Sequence, residues 1–297
     1  MDSRKYALAA LFTVQLLYGL NYTFAKTVIN ESYIKPFGFV LLRVIGATAM
    51  FWLLSLFLPK QKVEKKDYVK FVVAAIFGMV INLLFFFKGL EYTSPIHASA
   101  LMTIVPVIIL VLSSYFLKES ITSKKVIGIS IALIGALVLT IYGKSGRPGD
   151  NVPLGNLLIL INAISYSIYV ILIKKLTEKY HPVTFIKWLF LIGLFMLIPF
   201  GYKELNEVQW QTFTPYISFS VAFVVIGATF ATYLLNPFAL SQLKASTVGI
   251  FIYIQPVIAS FFALAVGADF IDAIKIGAMI LIFTGVYLVT IKRKQKK

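Results

Sequence analysis

Long apolar runs separated by short polar connections recur along the whole chain. Ten runs can be counted, and most hold about 20 residues, the length at which a helix crosses the ~30 Å hydrocarbon core of a bilayer. We number them spans 1 to 10. They cover residues 6–25, 37–58, 69–87, 95–117, 126–142, 154–173, 183–200, 216–240, 245–266 and 271–291. Spans 5 and 7 are the shortest, so we expect them to be tilted or partly buried. The pattern predicts an all-α integral membrane protein with ten transmembrane helices.

Composition agrees with a chain that lies mostly in lipid. Of its 297 residues, 59% are hydrophobic, and the mean hydropathy is +0.87. A soluble domain carries a much smaller apolar share. The absence of cysteine excludes disulfides and thiolate-bound metals. In a soluble protein the net charge of +16 would suggest nucleic acid. Here the basic residues lie in connections between spans, where they set orientation, so we expect no nucleic-acid partner.

The distribution of basic residues predicts the orientation in the membrane. With the N-terminus placed in the cytoplasm, 20 of the 28 Lys and Arg residues fall on the cytoplasmic side, seven fall on the other side, and Arg43 lies within span 2. Cytoplasmic connections carry the excess of positive charge in membrane proteins. We therefore predict a multi-pass protein of the plasma membrane, with a bacterial inner membrane favoured, and with both termini in the cytoplasm.

The chain contains a loose copy of itself at an offset of 150 residues. Ten of the 52 positions in residues 90–141 are identical to those in residues 240–291. The shared proline and glycine carry most weight because they fix backbone geometry; they are Pro106 with Pro256 and Gly135 with Gly285. Duplicated bundles with breaks at equivalent depths are typical of secondary transporters.

The repeat predicts two halves of opposite orientation. The polar connection 143–150 separates a first five-helix repeat, residues 1–146, from a second, residues 147–297. Five spans per half is an odd number, so the second half enters the membrane from the opposite side. Small residues in spans 5 and 10 allow close helix packing within the monomer or between copies, which leaves the oligomeric state open. These residues are Gly128, Ala132, Gly277 and Gly285.

The chain resembles the EamA-type members of the drug/metabolite transporter superfamily. The resemblance rests on ten spans in two halves, the stretch GLEYTSPIHASALMTIVPVIIL, the following LKESIT, and the glycines of span 5, with a looser second copy around Pro256. It implies a secondary permease, often an exporter of amino acids or other small metabolites, with a central cavity between the halves. Four-span members use a membrane-embedded Glu in their first helix. Span 1 has none, so the resemblance does not extend to that drug/proton exchange.

Polar side chains inside the spans form the candidate substrate site. Unpaired amides cost several kcal/mol in hydrocarbon, so these groups should face one another, a wet cavity or a substrate. In spans 1 and 6 the helical spacing puts three such residues on one face. The candidates are Gln15, Tyr18 and Tyr22 in span 1, Asn82 in span 3, Asn162, Tyr166 and Tyr169 in span 6, Tyr233 and Asn236 in span 8, and Tyr253 and Gln255 in span 9. The alternative roles are hydrogen bonds between helices and, for tyrosines near span ends, an interfacial belt.

Arg43 is the charge placed well inside a span. It could serve as counter-ion for a substrate carboxylate; the alternatives, which we favour, are a structural pair with an acid such as Glu91 and snorkelling outward. Lys88 and Glu91 are three residues apart and are expected to form a local ion pair. Glu119, before span 5, and Asp269, before span 10, are expected to cap the helices that follow them.

Pro106 and Pro256 are candidate hinges. Each lies near the middle of its span and removes one helical hydrogen bond, so a break at the same depth in both halves could open the cavity to alternate sides. A static packing role is the alternative.

We therefore predict a secondary active transporter, an exporter of small organic metabolites such as amino acids, working by alternating access. Its partners would be a small-molecule substrate, the lipid bilayer and a coupling ion that the sequence does not identify. The alternatives are efflux of amphipathic drug-like compounds and, in another class, a non-transporting membrane assembly or sensor. The sequence holds no metal-ligand spacing or phosphate-binding loop, so we expect no enzyme activity, no cofactor and no metal.

Overall fold

The computed structural model describes residues 2–93, 98, 101–142, 151–265 and 273–290, and in this part of the chain every regular element is a helix, with no strand. The predicted all-α fold is confirmed. Its helices are Asp2–Asn30, Pro36–Leu56, Lys65–Tyr92, Val105–Leu117, Ser123–Tyr142, Val152–Thr177, Pro182–Asn206, Pro215–Gln242, Ala245–Ile250, Ile254–Ala265 and Ala273–Thr290. Seven described helices are long and apolar enough to cross a membrane. The connection 143–150, Asp269 and the basic tail lie outside the described residues.

Spans 5 and 7 are longer than the apolar runs suggested. Their helices hold 20 and 25 residues, because polar residues continue the helix before the apolar run in span 5 and after it in span 7. The expectation that these two spans are tilted or partly buried stays a prediction. In span 7 the helix continues through Pro199. Proline is tolerated inside a membrane helix because neighbouring helices can satisfy the carbonyl that loses its N–H donor.

Spans 3 and 8 each contain a π-helical stretch in the middle. In span 3 it covers Ile76–Ile81, and in span 8 it covers Phe223–Ala231. A π turn leaves the regular hydrogen-bond ladder and often marks a functional site in a helix. The two stretches overlap at the 150-residue offset, so the two halves share this irregularity.

Spans 4 and 9 are broken at equivalent positions. Span 4 turns at residues 103–104 before the helix Val105–Leu117, and span 9 passes through the 3-10 turn Phe251–Tyr253 before Ile254–Ala265. Ile104 and Ile254 have nearly the same backbone angles, φ −74° and ψ −21° or −22°. Pro106 therefore lies in the first turn of a new helix, where its missing N–H costs nothing, and Pro256 occupies the matching place.

The packing of the helices follows the inverted repeat. Span 1 packs on span 8, and span 6 packs in the same way on span 3. A lysine links each of spans 1 and 6 to one further helix: the ammonium of Lys26 in span 1 donates to the carbonyls of Leu90 and Thr93 at the end of span 3, and that of Lys174 in span 6 donates to the carbonyl of Leu240 at the end of span 8, at 2.8 Å. A cation on the last carbonyls of a helix is stabilising. The duplication seen in the sequence is thus repeated in the contacts.

Spans 5 and 10 pack against each other through small residues. A Cβ built on Gly285 would lie 2.3 Å from the carbonyl oxygen of Gly128 and 2.7 Å from the Cβ of Ala132. The two backbones therefore touch within one chain, as small residues allow in membranes. Gly277, in contrast, has nothing within 4 Å of its Cβ position.

Glu119 does not cap the helix that follows it, so this expectation is wrong. Its carboxylate accepts hydrogen bonds from the backbone N–H of Ala245 at 2.8 Å and from the hydroxyl of Ser246 at 2.6 Å, and it pairs with Lys125 at 3.1 Å. It thereby caps the first turn of span 9, across the boundary between the halves. The expected ion pair between Lys88 and Glu91 is present at 2.5 Å.

An ion-pair cluster joins the connection after span 2 to the end of span 6. Lys179 lies 2.6 Å from Glu64 and 2.5 Å from the buried carboxylate of Asp67, which also accepts from the hydroxyl of Tyr180 at 2.7 Å. The hydrogen bond with Asp67 raises the pKa of the Lys179 ammonium above its ordinary value. The hydrogen bond from Lys179 lowers the pKa of the Glu64 carboxyl.

Candidate functional site

A cavity of about 70 Å³ lies at the centre of the bundle, between the two halves. Seven spans contribute to its wall: 1, 2, 3, 4, 6, 8 and 9. Eight of the twelve substrate-site residues predicted from the sequence line it: Tyr18, Tyr22, Arg43, Asn82, Asn162, Tyr166, Tyr233 and Gln255. The polar faces of the separate spans therefore converge on one place.

Polar side chains of spans 6 and 8 hydrogen-bond to carbonyls in the π stretch of span 3. The hydroxyl of Tyr233 donates to the carbonyl of Gly78 at 2.7 Å, and the hydroxyl of Ser165 donates to that of Phe77 at 2.6 Å. Gly78 must lack a side chain, because a Cβ would lie 2.2 Å from the ring of Tyr169. Spans 6 and 8 thus hold the irregular backbone of span 3 in place.

Arg43 lies on the cavity wall with no carboxylate partner among the described residues. Its side chain is only 2% exposed, its Nε donates to the hydroxyl of Thr229 at 2.7 Å, and one terminal nitrogen donates to the carbonyl of Ala228 at 3.1 Å. Its guanidinium carbon lies 4.8 Å from the ring centre of Phe87. A guanidinium has five N–H donors, so these two bonds leave three for another acceptor.

The two structural roles that we favoured for Arg43 from the sequence, an ion pair with Glu91 and outward snorkelling, are wrong. Glu91 pairs with Lys88 rather than with Arg43. The guanidinium does not snorkel outward either, because it hydrogen-bonds span 8 and lines the central cavity. Arg43 helps to hold span 8, yet its positive charge is left unneutralised by the described part of the chain.

In the described part of the chain, two buried amide oxygens on the wall have no hydrogen-bond partner. The Nδ2 of Asn162 donates to the carbonyl of Asn82 at 2.8 Å, which fixes the orientation of the amide and leaves its Oδ1 without a donor. The Oδ1 of Asn21 is likewise buried and without a partner. Asn21 lines the cavity but is missing from the sequence-predicted set. Its spacing of three residues from Tyr18 placed it on the same helical face, so that signal was available.

The other four predicted residues form a layer behind the wall. The Nε2 of Gln255 donates to the Oε1 of Gln15 at 2.7 Å, and the Nδ2 of Asn236 donates to the hydroxyl of Tyr166 at 3.0 Å. Gln15 and Asn236 thus orient two cavity side chains.

Tyr169 and Tyr253 are also buried off the wall, and neither hydroxyl has a partner in the described structure. The ring of Tyr169 packs 5.9 Å from that of Tyr233.

Four apolar residues complete the wall, and none of them belongs to the set of substrate-site residues predicted from the sequence. They are Leu83, Phe86, Met102 and Ile252. Met102 and Ile252 occupy equivalent positions in the two halves, each four residues before its proline. The helix breaks of spans 4 and 9 therefore border the cavity.

Comparison with known proteins decides the family. A sequence profile of the EamA-like transporter family matches the chain twice, over residues 5–141 and 153–291. The chain belongs to the EamA-like transporter family. The two matches coincide with the two halves of the fold.

Two relatives match this EamA-like chain over most of their length. An uncharacterized transporter from Archaeoglobus fulgidus is 26% identical over 276 residues, which is 93% of this chain and 95% of the relative. The uncharacterized transporter YyaM of Bacillus subtilis is 24% identical over 267 residues, covering 89% and 87%. A crystal structure of another protein shares the fold, with a TM-score of 0.73, 17% identity and 96% of each chain covered.

Proposed function

We propose that this EamA-like protein is a secondary active transporter that exports small carboxylate-bearing metabolites, with α-amino acids as the first candidates. The observation that carries the proposal is Arg43: a buried, unneutralised guanidinium on the wall of a central cavity. A cation in such a place is costly unless it meets an anion, and a planar guanidinium matches a carboxylate in two hydrogen bonds.

The unpartnered amide oxygens extend the proposal to zwitterions. Asn162 and Asn21 present acceptors to the cavity, and an ammonium group is a donor without acceptors. An α-amino acid carries a carboxylate for Arg43 and an ammonium for these oxygens. The aromatic residues Tyr18 and Phe86 would contact its side chain.

Alternating access in this proposal uses the two broken spans. Met102 and Ile252 border the cavity just before Pro106 and Pro256, so bending at either break would move the wall on one side of the substrate. We place both termini in the cytoplasm and the protein in the plasma membrane, as the charge distribution indicates.

The second candidate is efflux of amphipathic drug-like cations, favoured by the aromatic share of the wall. The two candidate functions predict opposite effects of Arg43 on substrate binding, because a guanidinium attracts carboxylates and repels cations. Counterflow in proteoliposomes can separate them with one set of matched solutes: phenylalanine, its decarboxylated amine, its deaminated acid and a cationic dye.

We expect counterflow of the amino acid to exceed that of the amine and the acid. Arg43→Lys should lower it about ten- to a hundredfold, because a charge-assisted bidentate contact contributes ~1.5–3 kcal/mol. The control is Thr229→Val, which removes a structural tether of Arg43 without changing charge. Faster counterflow of the amine or dye than of the amino acid would refute the proposal. So would equal losses for every solute in both variants.

A further inference from the structure

A second cavity lies away from the transport site, at the end of the bundle that carries the connection between spans 2 and 3. It has a volume of about 230 Å³ and lies between the end of span 2, that connection and the first turns of span 7. None of its lining residues borders the central cavity. The second cavity is therefore separate from the proposed substrate site, and the proposed transport mechanism gives it no role.

The polar groups of this second cavity are donors arranged for an anion. Thr184 is 8% exposed and lines the cavity, and its hydroxyl has no hydrogen-bond partner in the described structure. Lys187 follows three residues later on the same helical face, with its Nζ 3.4 Å from the hydroxyl of Ser55. Both belong to the first turns of the 25-residue helix Pro182–Asn206, whose N-terminus carries positive partial charge.

The positive charge at this cavity is not neutralised by the described part of the chain. Neither Lys60 nor Lys187 has a carboxylate within 4 Å, although both line the cavity. The nearest acids in sequence, Glu64 and Asp67, are held by Lys179 and other lysines. An anion from outside the chain is therefore the complementary ligand.

The surroundings of the cavity belong to the membrane interface. The ring of Trp188 packs edge-on against those of Trp52 and Tyr68, with centroids 5.2 and 5.4 Å apart. Aromatic rings of this kind concentrate at headgroup level. Leu56 and Phe57, at the end of span 2 beside the cavity, are 75% and 78% exposed, as expected for side chains that meet acyl chains. The anion should therefore be attached to a lipid.

We propose that the second cavity binds the phosphodiester headgroup of an anionic phospholipid. Thr184 and Lys187 would contact the phosphate, Lys60 would add attraction for the net negative charge, and the acyl chains would lie along Leu56 and Phe57. A zwitterionic lipid carries its own cation beside the phosphate, so it gains less from these two lysines. The site would hold an anionic lipid against the junction of spans 2 and 7.

Tryptophan quenching can test this assignment, because one of the three tryptophans of the chain, Trp188, lines the cavity and a second, Trp52, packs against it. In Trp210→Phe, the remaining Trp52 and Trp188 report on it. The protein is reconstituted into phosphatidylcholine vesicles with increasing fractions of phosphatidylglycerol brominated near the headgroup. We expect half-maximal quenching at a lower fraction than with brominated phosphatidylcholine. Lys187→Gln should raise that fraction about fivefold, since one surface lysine contributes about that factor to anionic-lipid binding.

Lys62→Gln is the matched control, because Lys62 is an exposed lysine of the same connection outside the cavity. It removes only general attraction to the membrane surface, so it should shift the quenching curve less than Lys187→Gln does. Thr184→Val removes the hydroxyl at nearly constant volume and should also weaken selectivity for the anionic lipid. Equal quenching by the two lipids, or equal effects of Lys62→Gln and Lys187→Gln, would overturn the proposal. Relief of quenching by millimolar inorganic phosphate would overturn the lipid assignment in favour of a soluble phosphate.

Discussion

The contact between spans 5 and 10 gives a prediction with a built-in control. Gly277 and Gly285 lie on the same helix, Ala273–Thr290, and each can be changed to alanine. At Gly285 the new Cβ would lie 2.3 Å from the carbonyl oxygen of Gly128, a backbone atom that no rotamer change can move. At Gly277 the new Cβ would meet nothing within 4 Å. The two substitutions are chemically identical and differ only in the space they enter.

The expected magnitude follows from this difference. Alanine gains up to ~1 kcal/mol over glycine in a helix interior, and both variants receive that gain. Ordinary contact begins at 3.4 Å, so the two helices would have to separate by about 1 Å at Gly285. Overpacking of this kind costs ~1–3 kcal/mol, with lost dispersion contacts along the interface. Gly285→Ala should therefore be less stable than Gly277→Ala by ~1–3 kcal/mol.

Thermal unfolding in detergent, followed by tryptophan fluorescence, measures this difference. We expect the midpoint of Gly277→Ala to equal or exceed that of the wild type, and the midpoint of Gly285→Ala to fall by several degrees. If both midpoints move together, the close approach of spans 5 and 10 does not determine stability. A midpoint for Gly285→Ala above that of Gly277→Ala would refute the packing argument directly.

Two further predictions concern motion and orientation. Pro106→Ala and Pro256→Ala should leave the protein folded and able to bind substrate but slow its turnover. The two variants should also bias the labelling of cysteines introduced into the cavity toward opposite faces of the membrane. Turnover at the wild-type rate in both variants would exclude a hinge role. Compartment-sensitive reporters fused at Lys297 and inserted at Gly146 should give opposite signals, because one is predicted to be cytoplasmic and the other external; the same signal at both would contradict the inverted arrangement.

The fold could be predicted well from the sequence because the membrane restricts the possible structures. Only helices satisfy every backbone group across a bilayer, so apolar runs of about 20 residues identify the spans. The duplicated Pro106 and Pro256 also located real breaks in spans 4 and 9. The π stretches of spans 3 and 8 could not be predicted, because their residues have the same apolar pattern as a regular helix.

From the sequence it was possible to predict which faces of the helices meet at the candidate site, but not which individual residues line the cavity. Intramembrane polar residues are expensive, so Tyr18, Asn162 and Tyr233 were natural candidates, and they meet at one cavity. Periodicity could not separate the cavity wall from the layer behind it: Tyr166 and Tyr169 share a face, yet only Tyr166 lines the cavity. The partner of Arg43 was predicted wrongly because it lies on span 8, about 185 residues away in sequence.

The two halves share a scaffold but not the chemistry of the site. The π stretches, the helix breaks and the lysine caps Lys26 and Lys174 all recur at offsets near 150 residues. Arg43 does not, because the position 150 residues later is Gly193, and its neighbours are apolar. A scaffold of two inverted repeats permits an inward-open and an outward-open state that are related by a pseudo-two-fold axis and have similar energy, which alternating access requires. A single cation on one side of the cavity gives a bound solute one preferred orientation in both states. Under the proposed function, the duplication would account for the motion, whereas Arg43, which has no carboxylate partner in the described part of the chain, would account for selectivity.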